Sequence, residues 1–207
     1  MVGRVLSALT HRDPVRRTLT ATGIAVVLWL GAWTVSYLAI GEGALRALVS
    51  ARIPGGALDP GPSLAITIFS WNLVFGVGAI VVGSLFAFGP LSLGYFAPWW
   101  WALGYGVALG TNSFVLTVPG KLAPRIDILW QHIGAREILA YILVAAALSN
   151  IHLWRPRNWH AMALSRVRAI RDVRLGAAEA GCLVGAIALL LWSANVEAAG
   201  VMAFLQR

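Results

Sequence analysis

Residues 21–40 read ATGIAVVLWLGAWTVSYLAI, twenty positions without one Asp, Glu, Lys, Arg or His. A helix needs about 20 mostly apolar residues to cross the hydrocarbon core of a bilayer, so this stretch is read as a membrane span. Four arginines precede it, Arg4, Arg12, Arg16 and Arg17, an arrangement that superficially matches a secretion signal. The run is longer than a signal-peptide core, and no small-x-small cleavage site follows it. It is therefore read as a retained first span. Working outward, similar runs recur near 64–88, 96–118, 133–154 and 177–199, with Gly, Pro and charged residues between them.

The expected fold is an all-α membrane protein with about five transmembrane helices in one integral domain, residues 1–207. Composition agrees: 59% of the residues are hydrophobic and only 12% charged, about half the charged share of an ordinary soluble domain. Soluble-enzyme classes are thereby strongly disfavoured. The only cysteine, Cys182, lies in an apolar run, so no intrachain disulfide can form.

Orientation follows from the connections. Segment 1–17 sets its four arginines against Asp13, a net of +3, and segment 151–175 sets Arg155, Arg157, Arg166, Arg168, Arg171 and Arg174 against Asp172, a net of +5. Segment 41–63 balances Glu42 and Asp59 with Arg46 and Arg52, and segment 119–131 holds Lys121, Arg125 and Asp127. Cytoplasmic loops carry the Lys/Arg excess, which places the N-terminus and 151–175 in the cytoplasm and the C-terminus outside. Span three contains Pro98 and several glycines and could instead be re-entrant, but that would put six arginines on the outer side. The expected location is a multi-pass position in a prokaryotic cytoplasmic membrane.

Trp159, Ala163, Val167 and Ile170 recur at helical spacing after Pro156, while Arg157, Arg168 and Arg171 gather on another face. This predicts a basic interfacial helix over 155–174, between the fourth and fifth spans, facing anionic lipid of the inner leaflet or a partner protein. A connector whose arginines only set topology is the competing reading. A shorter surface helix is expected over 43–53. Trp99, Trp100, Trp101, Trp154 and Trp159 mark interfaces, where a half-wet indole is favoured. Net charge is +8, but its distribution fits membrane orientation and not nucleic acid. Gly106-x3-Gly110 and Gly181-x3-Gly185 place small residues one turn apart, a common helix-contact spacing in membranes.

Gln131, His132, Ile133, Gly134, Ala135, Arg136 and Glu137 open span four. His132 and Arg136 share a helix face, as do Glu137 and Tyr141. Ionisable groups inside a bilayer are costly and pair or line polar cavities. Two readings stay open: a proton, ion or partner site, or a charged interfacial helix start with Arg136 snorkelling outward. Asn72 and Asn112, in spans two and three, suit interhelical hydrogen bonds or a polar path. Asn195 and Glu197 read as interfacial.

The sequence lacks G-x-S-x-G, H-E-x-x-H, a P-loop and any cysteine cluster. His132 and His152 are about 30 Å apart at helical rise and cannot share a metal. Enzyme chemistry is disfavoured, and no cofactor is named, although a single axial histidine needs no motif.

From Phe69 to about Asn150 the chain resembles the stage II sporulation protein M family of multipass membrane proteins. The resemblance rests on Asn72 in a Gly-rich span, Gly83, Pro90, the Gly-rich third span, and His132, Gly134, Glu137 and Ala140. The spacing departs from the family's: Ile133 separates His132 from Gly134, Glu137 is five residues after His132, and span three lacks the usual Asn-Gly start. The resemblance implies a noncatalytic scaffold or complex subunit, assembling with other membrane proteins as a hetero- or homo-oligomer. The alternative is a transporter or permease subunit with a polar path between spans two to four.

Overall fold

The computed structural model describes residues 2–47, 62–113, 121, 130, 134–158 and 161–205. Within them the chain is mostly helical, and three helical stretches are long and apolar enough to cross a membrane: Pro14–Ala39, Ser63–Ser84 and Ala177–Met202. Their outward faces stay exposed although they carry Val26, Val27, Leu38, Ile66, Val74, Phe75, Val184, Ile187 and Leu191. Apolar side chains left uncovered along whole helices are expected where hydrocarbon is the solvent.

Helix α1 (Val2–Leu9) is short and amphipathic, and α2 (Pro14–Ala39) follows at once. Asp13 caps α2 by accepting from the Val15 amide at 2.9 Å, and Pro14 occupies its first turn, where a missing N–H costs nothing. Helix α3 (Pro62–Trp71) passes through a π-helical segment (Asn72–Val77) into α4 (Gly78–Ser84). A two-residue hairpin, β1 (Ala87–Phe88) with β2 (Leu91–Ser92), leads to α5 (Phe96–Gly110). Helix α6 (Ala135–Leu148) runs through the middle, and α7 (Ala177–Leu205) ends the described chain.

Helices α5 and α6 have 15 and 14 residues, about 22 and 21 Å at helical rise. Each falls short of the roughly 30 Å hydrocarbon core, and they are shorter than the spans expected at 96–118 and 133–154. Helix α6 is shielded instead: Ala140, Tyr141, Ile142 and Val144 to Leu148 are all buried. Its neighbours are α2, α4, α5 and α7. A short helix is tolerated at membrane depth when protein, and not lipid, surrounds it.

Close packing of α2 on α5 depends on two glycines. A Cβ on Gly106 would lie 2.5 Å from the Trp29 carbonyl, and one on Gly110 would collide with Ser36 Oγ. The other small-residue pair behaves differently, since nothing lies within 4 Å of a Cβ on Gly181 or Gly185. Of the two glycine pairs, only the first packs closely among the described residues.

One end of the bundle is tied by an arginine. Arg17 is 0% exposed; its Nη2 donates to Glu179 Oε1 at 2.8 Å and its Nη1 to Ser149 Oγ at 2.9 Å. The starts of α2 and α7 and the end of α6 thus lie together. The end of α4 joins them, because the Leu85 carbonyl accepts from the amides of Leu153 and Trp154 at 2.8 and 3.0 Å. At the opposite end Asn112, with φ 47°, follows α5 and donates to Glu42 at 3.0 Å.

The basic segment corrects an expectation. Residues 155–174 do not form an interfacial helix. β3 (Trp154–Asn158) and β4 (Ala161–Arg166) pair antiparallel, with Trp154 opposite Arg166 and a bulge between Pro156 and Asn158. A single 3₁₀ turn, Ile170–Asp172, follows. Pro156 has no N–H and suits a bulge better than a helix. Trp154 bridges and stacks on Phe86, with ring centroids 5.4 Å apart, so strand pairing outweighs the helical spacing. Of the surface helix expected over 43–53, residues 43–45 form a turn and 46–47 are helical; the rest lies outside the described residues, as do Trp159 and His160.

Candidate functional site

Glu137 sits at the third position of α6, where free N–H groups and the helix dipole favour a carboxylate. It is 6% exposed, and neighbouring Arg136 is 5% exposed. Both are therefore buried in the bundle, and Arg136 does not snorkel outward. Its guanidinium lies 5.4 Å from the centroid of the Trp192 ring on α7, a cation–π contact that offsets the unfavourable placement of a cation at the dipole-positive helix start.

Helix α6 starts there because of Gly134. Its φ of +68° is left-handed, and its carbonyl accepts the Ile138 amide at 2.9 Å. A Cβ on Gly134 would also stand 2.8 Å from the Tyr105 ring. Glycine thus serves both the turn and the close approach of Tyr105.

Three helices converge on the Glu137 carboxylate. Asn72 Nδ2 donates to Oε1 at 2.7 Å, and the Tyr105 hydroxyl donates to Oε2 at 3.1 Å. Ser193, buried on α7, adds a side-chain hydrogen bond. Asn72 is the first residue of the π-helical segment. Such widened turns are rare and recur at functional sites, because one extra residue shifts the facing of the side chains around it. Gly76 in the same segment admits Tyr141, whose ring would lie 2.5 Å from a Cβ there. Glu197 lies one turn beyond Ser193 on α7, exposed, with its carboxyl within reach of Glu137.

The sequence singled out Asn72, Gly134, Arg136 and Glu137, and the fold gathers them with Tyr105, Ser193 and Glu197. Asn112 does not join: it follows α5 on the same side of the bundle as the start of α6, but its side chain donates to Glu42 at 3.0 Å. His132, with Gln131 and Ile133, lies outside the described residues. Tyr105 and Ser193 were not legible, since a tyrosine or serine in an apolar run carries no pattern of its own. Arg17 was read as an orientation charge, yet it is the most deeply buried cation of the described chain.

Arg155 and Arg157 lie on β3, Arg166 ends β4, and Arg168, Arg171 and Arg174 follow. Arg166, Arg168, Arg171 and Arg174 are exposed beside exposed Leu164, Val167, Ile170 and Leu175. Apolar and cationic side chains mixed on one surface suit a headgroup boundary even without a helix. Among the described residues no group of three or more His, Cys, Asp or Glu could hold a metal ion. The chain matches no family model, no curated protein and no solved structure.

Proposed function

We propose that this chain is a noncatalytic multipass membrane subunit, or scaffold, that assembles with other membrane proteins. The observation that carries this reading is the closed coordination of Glu137: both oxygens accept from neighbouring helices, through Asn72 and Tyr105. A carboxylate with both oxygens engaged by its own bundle acts as a lock between helices. The resemblance to the stage II sporulation protein M family, through Asn72, Gly134, Glu137 and Ala140, points the same way. In this reading the chain crosses a prokaryotic cytoplasmic membrane five times, N-terminus inside and C-terminus outside, with the basic hairpin at the inner leaflet. The alternating ends of α2, α3–α4, α5, α6 and α7, together with the arginines at the Arg17 end, support that path.

A second reading is favoured by Glu197. Two neighbouring carboxyls, with Tyr105 bonded to the inner one, suit a proton or cation path in a transporter subunit.

Mild extraction followed by native mass spectrometry separates the two. Stoichiometric protein partners, lost in Glu137→Ala, support the subunit. Proton- or cation-dependent flux in proteoliposomes, abolished by Glu137→Gln with no partner bound, would replace it with transport.

A further inference from the structure

Helix α1 places its apolar residues on one face, and that face roofs a groove. Val2, Val5, Leu6 and Leu9 line it from α1, with Ile24 of α2, Leu91 of β2 and Trp99 of α5 forming the rest. The groove has a volume of about 350 Å³, and every lining residue is apolar. Val2, at 73% exposure, marks its open side.

Depth and charge identify an occupant. Ile24 is three residues into the apolar run that begins at Ala21, about 5 Å along α2. The groove therefore lies just beneath the headgroup level, where the first methylenes of an acyl chain sit. Arg4 lies on the polar face of α1, opposite the groove, and Arg12 and Arg16 flank the start of α2; all three are exposed. The acids at this end among the described residues are engaged: Asp13 accepts from the Val15 amide at 2.9 Å, and Glu179 pairs with Arg17 at 2.8 Å.

We propose that this groove binds an acyl chain of an anionic phospholipid, whose headgroup is held by Arg4, Arg12 and Arg16. A short amphipathic helix lying across the chain fixes it in place, whereas lipid along the open faces of α3 and α7 exchanges freely. The arginines select a phosphodiester of net negative charge over a zwitterionic headgroup.

The test is native mass spectrometry of the full chain in detergent, incubated with phosphatidylglycerol or with phosphatidylcholine of the same acyl chains. Wild type is expected to retain one phosphatidylglycerol in preference to phosphatidylcholine. Val5→Trp fills the groove from its roof and Ile24→Trp from its floor; each is expected to lose that lipid while remaining monodisperse. The two walls are independent, so a variant that fails to fold is replaced by the other. The double substitution Arg4→Gln and Arg16→Gln leaves the groove open and is expected to abolish the headgroup preference. Equal retention of both lipids by wild type, or unchanged retention after either groove is filled, overturns the proposal.

Discussion

Replacing Asn72 with alanine removes the amide that donates to Glu137 Oε1 at 2.7 Å. Hydrogen bonds to charged groups contribute about 1.5–3 kcal/mol in soluble proteins. Interhelical polar pairs in membranes average about 0.6 kcal/mol and reach about 1.7, because the unfolded helices find other partners. The Asn72–Glu137 pair is short, and Glu137 is enclosed, so the upper part of the membrane range applies. Asn72→Ala is expected to cost about 1–2 kcal/mol. Glu137→Ala strands Asn72, Tyr105 and Ser193 together and is expected to cost about 3 kcal/mol or more. Tyr105 still donates to Oε2 at 3.1 Å when Asn72 is gone, so the double mutant isolates one bond. Its coupling energy is expected at about 1–1.5 kcal/mol, measured by reversible unfolding in mixed micelles with tryptophan fluorescence. A coupling below about 0.4 kcal/mol means additive, independent sites and would refute the lock. Asn72→Asp, which sets a second carboxylate against the first, is expected to destabilise more than Asn72→Ala.

Other substitutions report on the frame around that lock. Arg17→Met removes the partner of Glu179, which is 18% exposed and stays partly solvated, and is expected to cost about 1–3 kcal/mol; unfolding in the same micelles checks it. Gly106→Leu forces α2 and α5 apart and is expected to cost about 1–3 kcal/mol, whereas Gly181→Ala and Gly185→Ala leave the stability of the single chain unchanged. Thermal inactivation of the detergent-solubilised protein distinguishes the two pairs. Gly134→Ala must adopt a φ of +68° against the Tyr105 ring, a strain of about 1–2 kcal/mol before any clash. Its stability loss is expected to shrink when Tyr105→Phe is added, because the hydroxyl that Gly134 positions is then already gone.

Residues 21–40 and the runs near 64–88 and 177–199 announced membrane helices by length alone, and the three long apolar helices coincide with them. Length and apolarity suffice because lipid hydrocarbon cannot satisfy a backbone N–H, so such a run must become a helix wherever its neighbours stand. Glu137, Arg136, Asn72 and Gly134 were also legible, as polar or turn-forming residues where the chain offers little else. The rest was decided between segments. Whether Arg136 snorkels or is buried depended on Trp192, 56 residues away in sequence. Segment 155–174 had helical spacing, yet Phe86 and Leu85 offered strand partners that no local pattern reveals. Arg17 looked like its three neighbours until Glu179 and Ser149 closed around it. Sequence thus determined which helices are long and apolar enough to cross a membrane, because that depends on local composition alone; only tertiary structure chose the partner of each charge, because a charge is satisfied by whichever group the packing brings within about 3 Å.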